Sequence, residues 1–159
     1  MLTMVKRLRE ELKQNRPFGS LEEEVLVGVA RTADALQGEL AAVLKKGGVS
    51  QTQYNVLRIL RGAGAPGLAC GEIGERMVAR DPDLTRLLDR LEARHLVTRA
   101  RDGADRRVVT TRISQAGLAL LAELEEPLQA AIRRLLGHMG QDRLRTLATL
   151  LDEARSTPG

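Results

Sequence analysis

A mainly α-helical fold carrying one β-hairpin is what this sequence predicts, and three observations carry that expectation. Apolar residues recur three and four positions apart through most of the 159 residues. Helix-starting and helix-stopping residues bracket those periodic stretches. Strand-like composition appears in force only between Leu96 and Ile113, on either side of a Gly- and Asp-containing turn.

Taken in order, residues 2–16 form a charged, Leu-spaced stretch expected to be helical until Pro17 and Gly19 stop it. Ser20 opens a capping box with Glu23, and Glu22, Glu23 and Glu24 suit the positive end of a helix dipole. Leu21, Val25, Val29, Ala33, Leu36, Leu40 and Leu44 then give one apolar seam, which Gly47-Gly48 ends after Lys45 and Lys46. A second capping box, Ser50 with Gln53, opens a helix that carries Tyr54, Leu57 and Leu60 inward and ends at Gly62. After a Gly/Pro-rich connector to Gly67, a short helix from about Cys70 to Val78 buries Ile73 and Met77.

The next helix has the sharpest pattern. Asp81 is a good N-cap, and Pro82 suits the first helical position. Leu84, Leu87, Leu88 and Leu91 make one inward face, which leaves Thr85, Arg86, Asp89 and Arg90 outward or flanking. His95 stands where a left-handed residue is expected. Leu96–Arg101 and Arg107–Ile113 read as two strands around a five-residue turn, residues 102–106. Ser114 caps a long helix whose seam runs from Leu118 through Leu121, Leu124, Leu128 and Ile132 to Leu135; Pro127 should kink it. Gly137 and Gly140 break the chain before a last helix with Leu144, Leu147 and Leu151.

Composition narrows the function. Phe18 and Tyr54 are the only aromatics, so the core must be aliphatic. Cys70 is the only cysteine, which rules out an intrachain disulfide and suits a reducing compartment. No apolar run approaches a membrane span, and the N-terminus lacks the apolar centre of a signal peptide, so the expectation is a cytoplasmic protein with no membrane partner. His95 and His138, with one Cys, make no metal-ligand spacing, and they leave little material for a nucleophile–base pair, so neither an enzyme nor a metal site is expected.

The formal net charge is +4, and its distribution says more than its size. Residues 94–112 hold Arg94, Arg99, Arg101, Arg106, Arg107 and Arg112 against only Asp102 and Asp105. An amphipathic helix with an arginine-bearing outer face, followed at once by an arginine-tipped hairpin, suits a grip on duplex DNA by a winged helix-turn-helix. On that reading Thr85 and Arg86 reach base edges, where an Arg fork can pair with guanine. Arg80 and Asp83 flank the helix start and approach the groove. Arg106 and Arg107 are candidates for minor-groove insertion, with Asp105 positioning an arginine. Arg90 either pairs with Asp89 or Glu92 or contacts phosphate.

At these residues the chain resembles the MarR family of bacterial transcription regulators. The likeness runs through Gln53-Tyr54-Asn55-Val56-Leu57 and Gly71-Glu72-Ile73-Gly74-Glu75-Arg76-Met77. It is most specific at Thr85-Arg86-Leu87-Leu88-Asp89-Arg90-Leu91-Glu92, at Asp105-x-Arg107, and at the closing Ile113-Ser114 and Gly117. His95 replaces that family's usual Gly, and Ile113-Ser114 its usual Leu-Thr. The resemblance implies a homodimeric repressor on a pseudo-palindromic operator. Residues 50–113 would form the DNA-binding lobe, and residues 1–48 and 114–157 would supply dimerisation helices to one domain. It also implies that a small-molecule effector, bound between those helices and the lobe, shifts the spacing of the two lobes.

Two other readings compete. A winged helix can serve protein contacts without specific DNA binding. Gly62-Ala63-Gly64-Ala65-Pro66-Gly67 spells the G-x-G-x-x-G of dinucleotide sites, but a helix precedes it where such a site needs a strand, so no cofactor is expected. Cys70 lies at a helix start with no second cysteine to resolve an oxidised thiol, and a packed residue is its default role.

Overall fold

A computed structural model describes residues 7–101 and 107–156. The elements are α1 (Leu8–Glu11), α2 (Leu21–Lys46), α3 (Gln51–Ala63), β1 (Leu68–Ala69), α4 (Cys70–Arg76), α5 (Leu84–Ala93), β2 (Val97–Ala100), β3 (Thr110–Ile113), α6 (Gln115–Leu136), a 3-10 turn (Gly137–Met139) and α7 (Gln141–Arg155). The chain divides into two compact units, Met1–Glu39 and Leu40–Gly159.

In the first unit the basic N-terminal stretch forms only one turn of helix, α1, among the described residues. The start of α2 is capped as its sequence predicts: the Glu23 amide donates to Ser20 Oγ (3.1 Å). The Glu23 carboxylate reaches one residue further back than the motif prescribes and accepts from the Gly19 amide (2.6 Å). None of the described residues of this unit is buried.

The second unit holds the core, and the core is aliphatic. Leu44, Val49, Val56, Leu57, Leu60, Leu68, Ile73, Leu84, Leu87, Leu88, Leu91, Leu96, Val97, Leu121, Leu124 and Leu128 form one buried cluster. It joins α3, α4, α5, the sheet and the first half of α6. Each buried leucine stabilises such a cluster by about 2 kcal/mol. The Ser50–Gln53 capping box forms in full, with bonds of 3.1 and 3.0 Å. Helix α6 runs through Pro127 to Leu136.

The two predicted strands pair, with Val97 opposite Ile113 and Ala100 opposite Thr110, but β3 begins at Thr110 and not at Arg107, and the expected turn at residues 102–106 lies outside the described residues. A third strand joins the pair. β1 pairs with the outer side of β3, Leu68 opposite Thr111, giving the antiparallel order β1-β3-β2. Gly67 makes this possible. Its φ is +70°, and a Cβ there would lie 2.5 Å from the Thr111 carbonyl oxygen. The connector glycines therefore serve a helix end and a close strand approach, with α3 before them.

The start of α5 departs from expectation. Asp81 does not cap the helix. Its Oδ1 instead accepts from the Asp83 amide (2.8 Å), a local side-chain turn that competes with helix formation. Asp83 takes the N-cap position, and the first helical bond runs from the Leu87 amide to the Asp83 carbonyl. Helix α4 likewise stops at Arg76, with Met77 extended and half-buried.

The far end of α5 closes as a Schellman turn. The Leu96 amide donates to the Leu91 carbonyl (3.0 Å) and the His95 amide to the Glu92 carbonyl (2.8 Å). His95 has φ +58°, the left-handed conformation its position called for. Ser114 Oγ donates to the His95 carbonyl (2.6 Å) and accepts from the Gly117 amide (3.0 Å). One hydroxyl thus caps α6 and ties it to the end of α5.

Candidate nucleic-acid interface

The four buried leucines of α5 fix which side of the helix faces outward. Thr85, Arg86, Asp89 and Arg90 are all exposed. The Arg86 side chain is 75% exposed, and its Nε lies 3.6 Å from Asp83 Oδ1. That separation leaves the guanidinium free to leave Asp83 at little cost. Arg80 is exposed in the turn that leads into α5. The turn itself is held from below, where Asn55 Oδ1 on α3 accepts from the Val78 amide (2.9 Å).

Asp89 and Glu92 place two negative charges on one side of α5. Arg99 on β2 pairs with both and offsets one of the two charges. Its Nε donates to Glu92 Oε2 (2.8 Å), and its Nη2 donates to the same oxygen (2.6 Å) and to Asp89 Oδ1 (2.5 Å). The Arg99 amide also donates to Glu92 Oε1 (3.2 Å). The hydrogen bond to Glu92 chiefly raises the guanidinium's pKa; desolvation opposes it, and Asp89 adds a smaller rise. This bracket fastens the sheet to the outer edge of α5. Asp89 and Glu92 are both paired with Arg99, and Arg90 is exposed.

Three of the arginines in the basic 94–112 stretch therefore work inside the fold. Arg94 donates to the Gly48 carbonyl (2.6 Å) and the Gly47 carbonyl (3.4 Å). Arg99 forms the bracket. Arg112 Nε donates to the Ala65 carbonyl (2.7 Å). Arg101 and Arg107 are exposed at the two ends of the wing. Asp105 and Arg106 lie outside the described residues. The internal roles of Arg94, Arg99, Arg112 and Asn55 are absent from the sequence reading; only Asp89 and Glu92, acids on an otherwise basic face, hinted that a cation must answer them.

Among the described residues no group of His, Cys, Asp and Glu could hold a metal ion, and no helix is long and apolar enough to cross a membrane. Cys70 is half-buried and forms no disulfide.

Comparison with known proteins agrees with this geometry. The MarR family profile matches residues 49–109, the span from the end of α2 to the start of β3. A MarR transcription factor from Planctomyces limnophilus is 39% identical; the match covers 86% of this chain and 98% of that one, with a TM-score of 0.66. The transcriptional repressor MdtR of Bacillus subtilis is 27% identical over 124 residues, 78% of this chain and 79% of that protein. A mutant MarR from Escherichia coli in complex with operator DNA shares the fold at 22% identity, with a TM-score of 0.76 over 88% of this chain and all of that one. With its winged helix-turn-helix built on α3, α4, α5 and the three-stranded sheet, the chain belongs to the MarR family of transcription regulators.

Proposed function

We propose that this protein is a homodimeric repressor that reads a pseudo-palindromic operator with α5 in the major groove and the wing against a neighbouring minor groove. The observation that carries this reading is the outer face of α5. Thr85, Arg86 and Arg90 are presented outward there, while Asp89 and Glu92 beside them are engaged by Arg99, which offsets one of their two charges. Arg86 and Thr85 read base edges, Arg80 and Asp83 flank them, and Arg90 meets phosphate. Arg106 and Arg107 serve the minor groove, and Asp105 positions an arginine.

Residues 50–113 form the reading lobe on this account, and residues 1–48 and 114–157 form the dimer. Two open apolar faces support that division. In α2, Leu21 and Leu26 are 72% and 71% exposed, and Val25 and Val29 are exposed beside them. In α7 no residue is buried, and Leu150 is exposed next to half-buried Leu147 and Leu151. Cover by a second copy is the economical answer to seams that one chain leaves open. A small molecule bound between the dimerisation helices and the reading lobe relieves repression in the cytoplasm. It acts only through its different affinity for the DNA-fitting and non-fitting lobe spacings.

The test is operator binding by wild-type protein and by Arg86→Ala, with the oligomeric state measured in parallel by analytical ultracentrifugation. The proposal expects a dimer whose alanine variant stays dimeric and loses base preference. A monomer, or a dimer indifferent to Arg86, overturns it.

A further inference from the structure

The end of α2 and the end of α5 meet at one side chain. Helix α2 closes with a Schellman turn: the Val49 amide donates to the Leu44 carbonyl (3.3 Å) and the Gly48 amide to the Lys45 carbonyl (3.0 Å). This leaves the outward carbonyls of Gly47 and Gly48 at the negative end of the helix dipole. Arg94, the C-cap residue of α5, covers both with its guanidinium. Gly48 is shaped for that contact as well as for its turn. Its φ is +68°, and a Cβ there would lie 3.3 Å from Arg94 Nη2. Beneath the clamp Leu44, Val49, Leu91 and Leu96, the apolar residues of the two Schellman turns, lie in one buried cluster.

We propose that Arg94 is a positioning residue for operator binding, which locks the far end of the recognition helix to the end of α2 and so sets the half-site spacing that the protein accepts. This rests on the dimeric operator reading above. Arg94 stands eight residues from Arg86, about 12 Å along the helix, so it is remote from the base-reading end. Its work is to hold the angle of α5 against the helix that the dimer is built on. Arginine suits the task better than lysine, because one planar fork meets two successive carbonyls.

The test uses the full-length protein and an operator selected by wild type from a random duplex pool. Affinities are then compared on that operator and on versions with one base pair inserted or removed between the half-sites. Wild type should lose roughly tenfold or more on either change, since each step shifts and rotates one half-site. Arg94→Ala should bind the parent operator about fivefold more weakly, a little less than the loss of one good contact, yet lose under about threefold when the spacing changes. Its salt dependence should match wild type, because no phosphate contact is removed. Arg94→Lys should recover part of the spacing preference. Gly48→Asn, which tolerates the left-handed backbone but crowds the guanidinium, should relax spacing as Arg94→Ala does, and it decides the matter if the alanine variant does not fold.

Spacing discrimination kept at the wild-type level in the folded variants overturns the proposal. So does a salt slope lower by about one in Arg94→Ala, which would make Arg94 a phosphate contact instead. If wild type itself selects no operator, the operator reading fails first and takes this proposal with it.

Discussion

Replacing Arg99 with alanine should weaken the attachment of the sheet to α5, and the size of the effect follows from the bonds it makes. The change removes two donor contacts to Glu92 Oε2 and one to Asp89 Oδ1. Arg99 is 22% exposed and Glu92 39%, so the Glu92 pair is partly sheltered from water. A charge-assisted bond of this kind is worth about 1.5–3 kcal/mol. Asp89 is 54% exposed, and its pair adds no more than about 0.5 kcal/mol. The Arg99 amide still holds Glu92 Oε1 after the substitution, which limits the loss. The expected cost is therefore about 2 kcal/mol, or roughly 4–8 °C in Tm for a chain of this size. DNA affinity should fall as well, because Asp89 and Glu92 then lose the cation that offsets their charge beside the proposed phosphate contacts. The assay is a double-mutant cycle with Glu92→Ala, read by chemical denaturation, with a coupling energy of about 1–2 kcal/mol expected. A coupling energy below about 0.3 kcal/mol would refute the reasoning, since the pair would then be an ordinary solvated one.

Gly117→Ala should destabilise the protein by about 1–3 kcal/mol, through overpacking against backbone. The added Cβ would collide with the Leu96 carbonyl and approach Ile113 Cγ1 to 2.7 Å, and a thermal melt reads the loss. Ser114→Ala should cost about 1–2 kcal/mol, because it removes the α6 cap and the bond to the His95 carbonyl together; Ser114→Thr should restore most of it. Leu57→Ala, at a fully buried α3 position, should cost about 2–5 kcal/mol in denaturant unfolding.

What was legible in the sequence was local. The caps at Ser20, Ser50 and Ser114 and the leucine face of α5 all depend on residues three or four apart, and all of them form. His95 in the left-handed region was legible for the same reason: the turn it closes spans six residues. The start of α5 was misjudged because two aspartates compete there, and the one with the better motif spends its carboxylate on its neighbour's amide. β1 is two residues long, too short to show any period, and depends on a strand more than forty residues later. The basic stretch was legible as charge but not as use. Arg94 and Arg112 find carbonyls 46 and 47 residues away, and no local pattern announces such partners.

The central claim is that the outer face of α5 reads DNA, and fluorescence anisotropy tests it most directly. Wild type and Arg86→Ala are titrated across a salt series onto the protein's own upstream DNA and onto a scrambled duplex. Arg86 is exposed and only loosely paired, so the variant should melt with the wild type, within about 0.5 kcal/mol. The account predicts that wild type prefers the upstream fragment, with two protomers per site and steep salt dependence. It predicts that Arg86→Ala loses about 1–3 kcal/mol of that preference. Equal affinity of the folded variant and the wild type for both duplexes would contradict it.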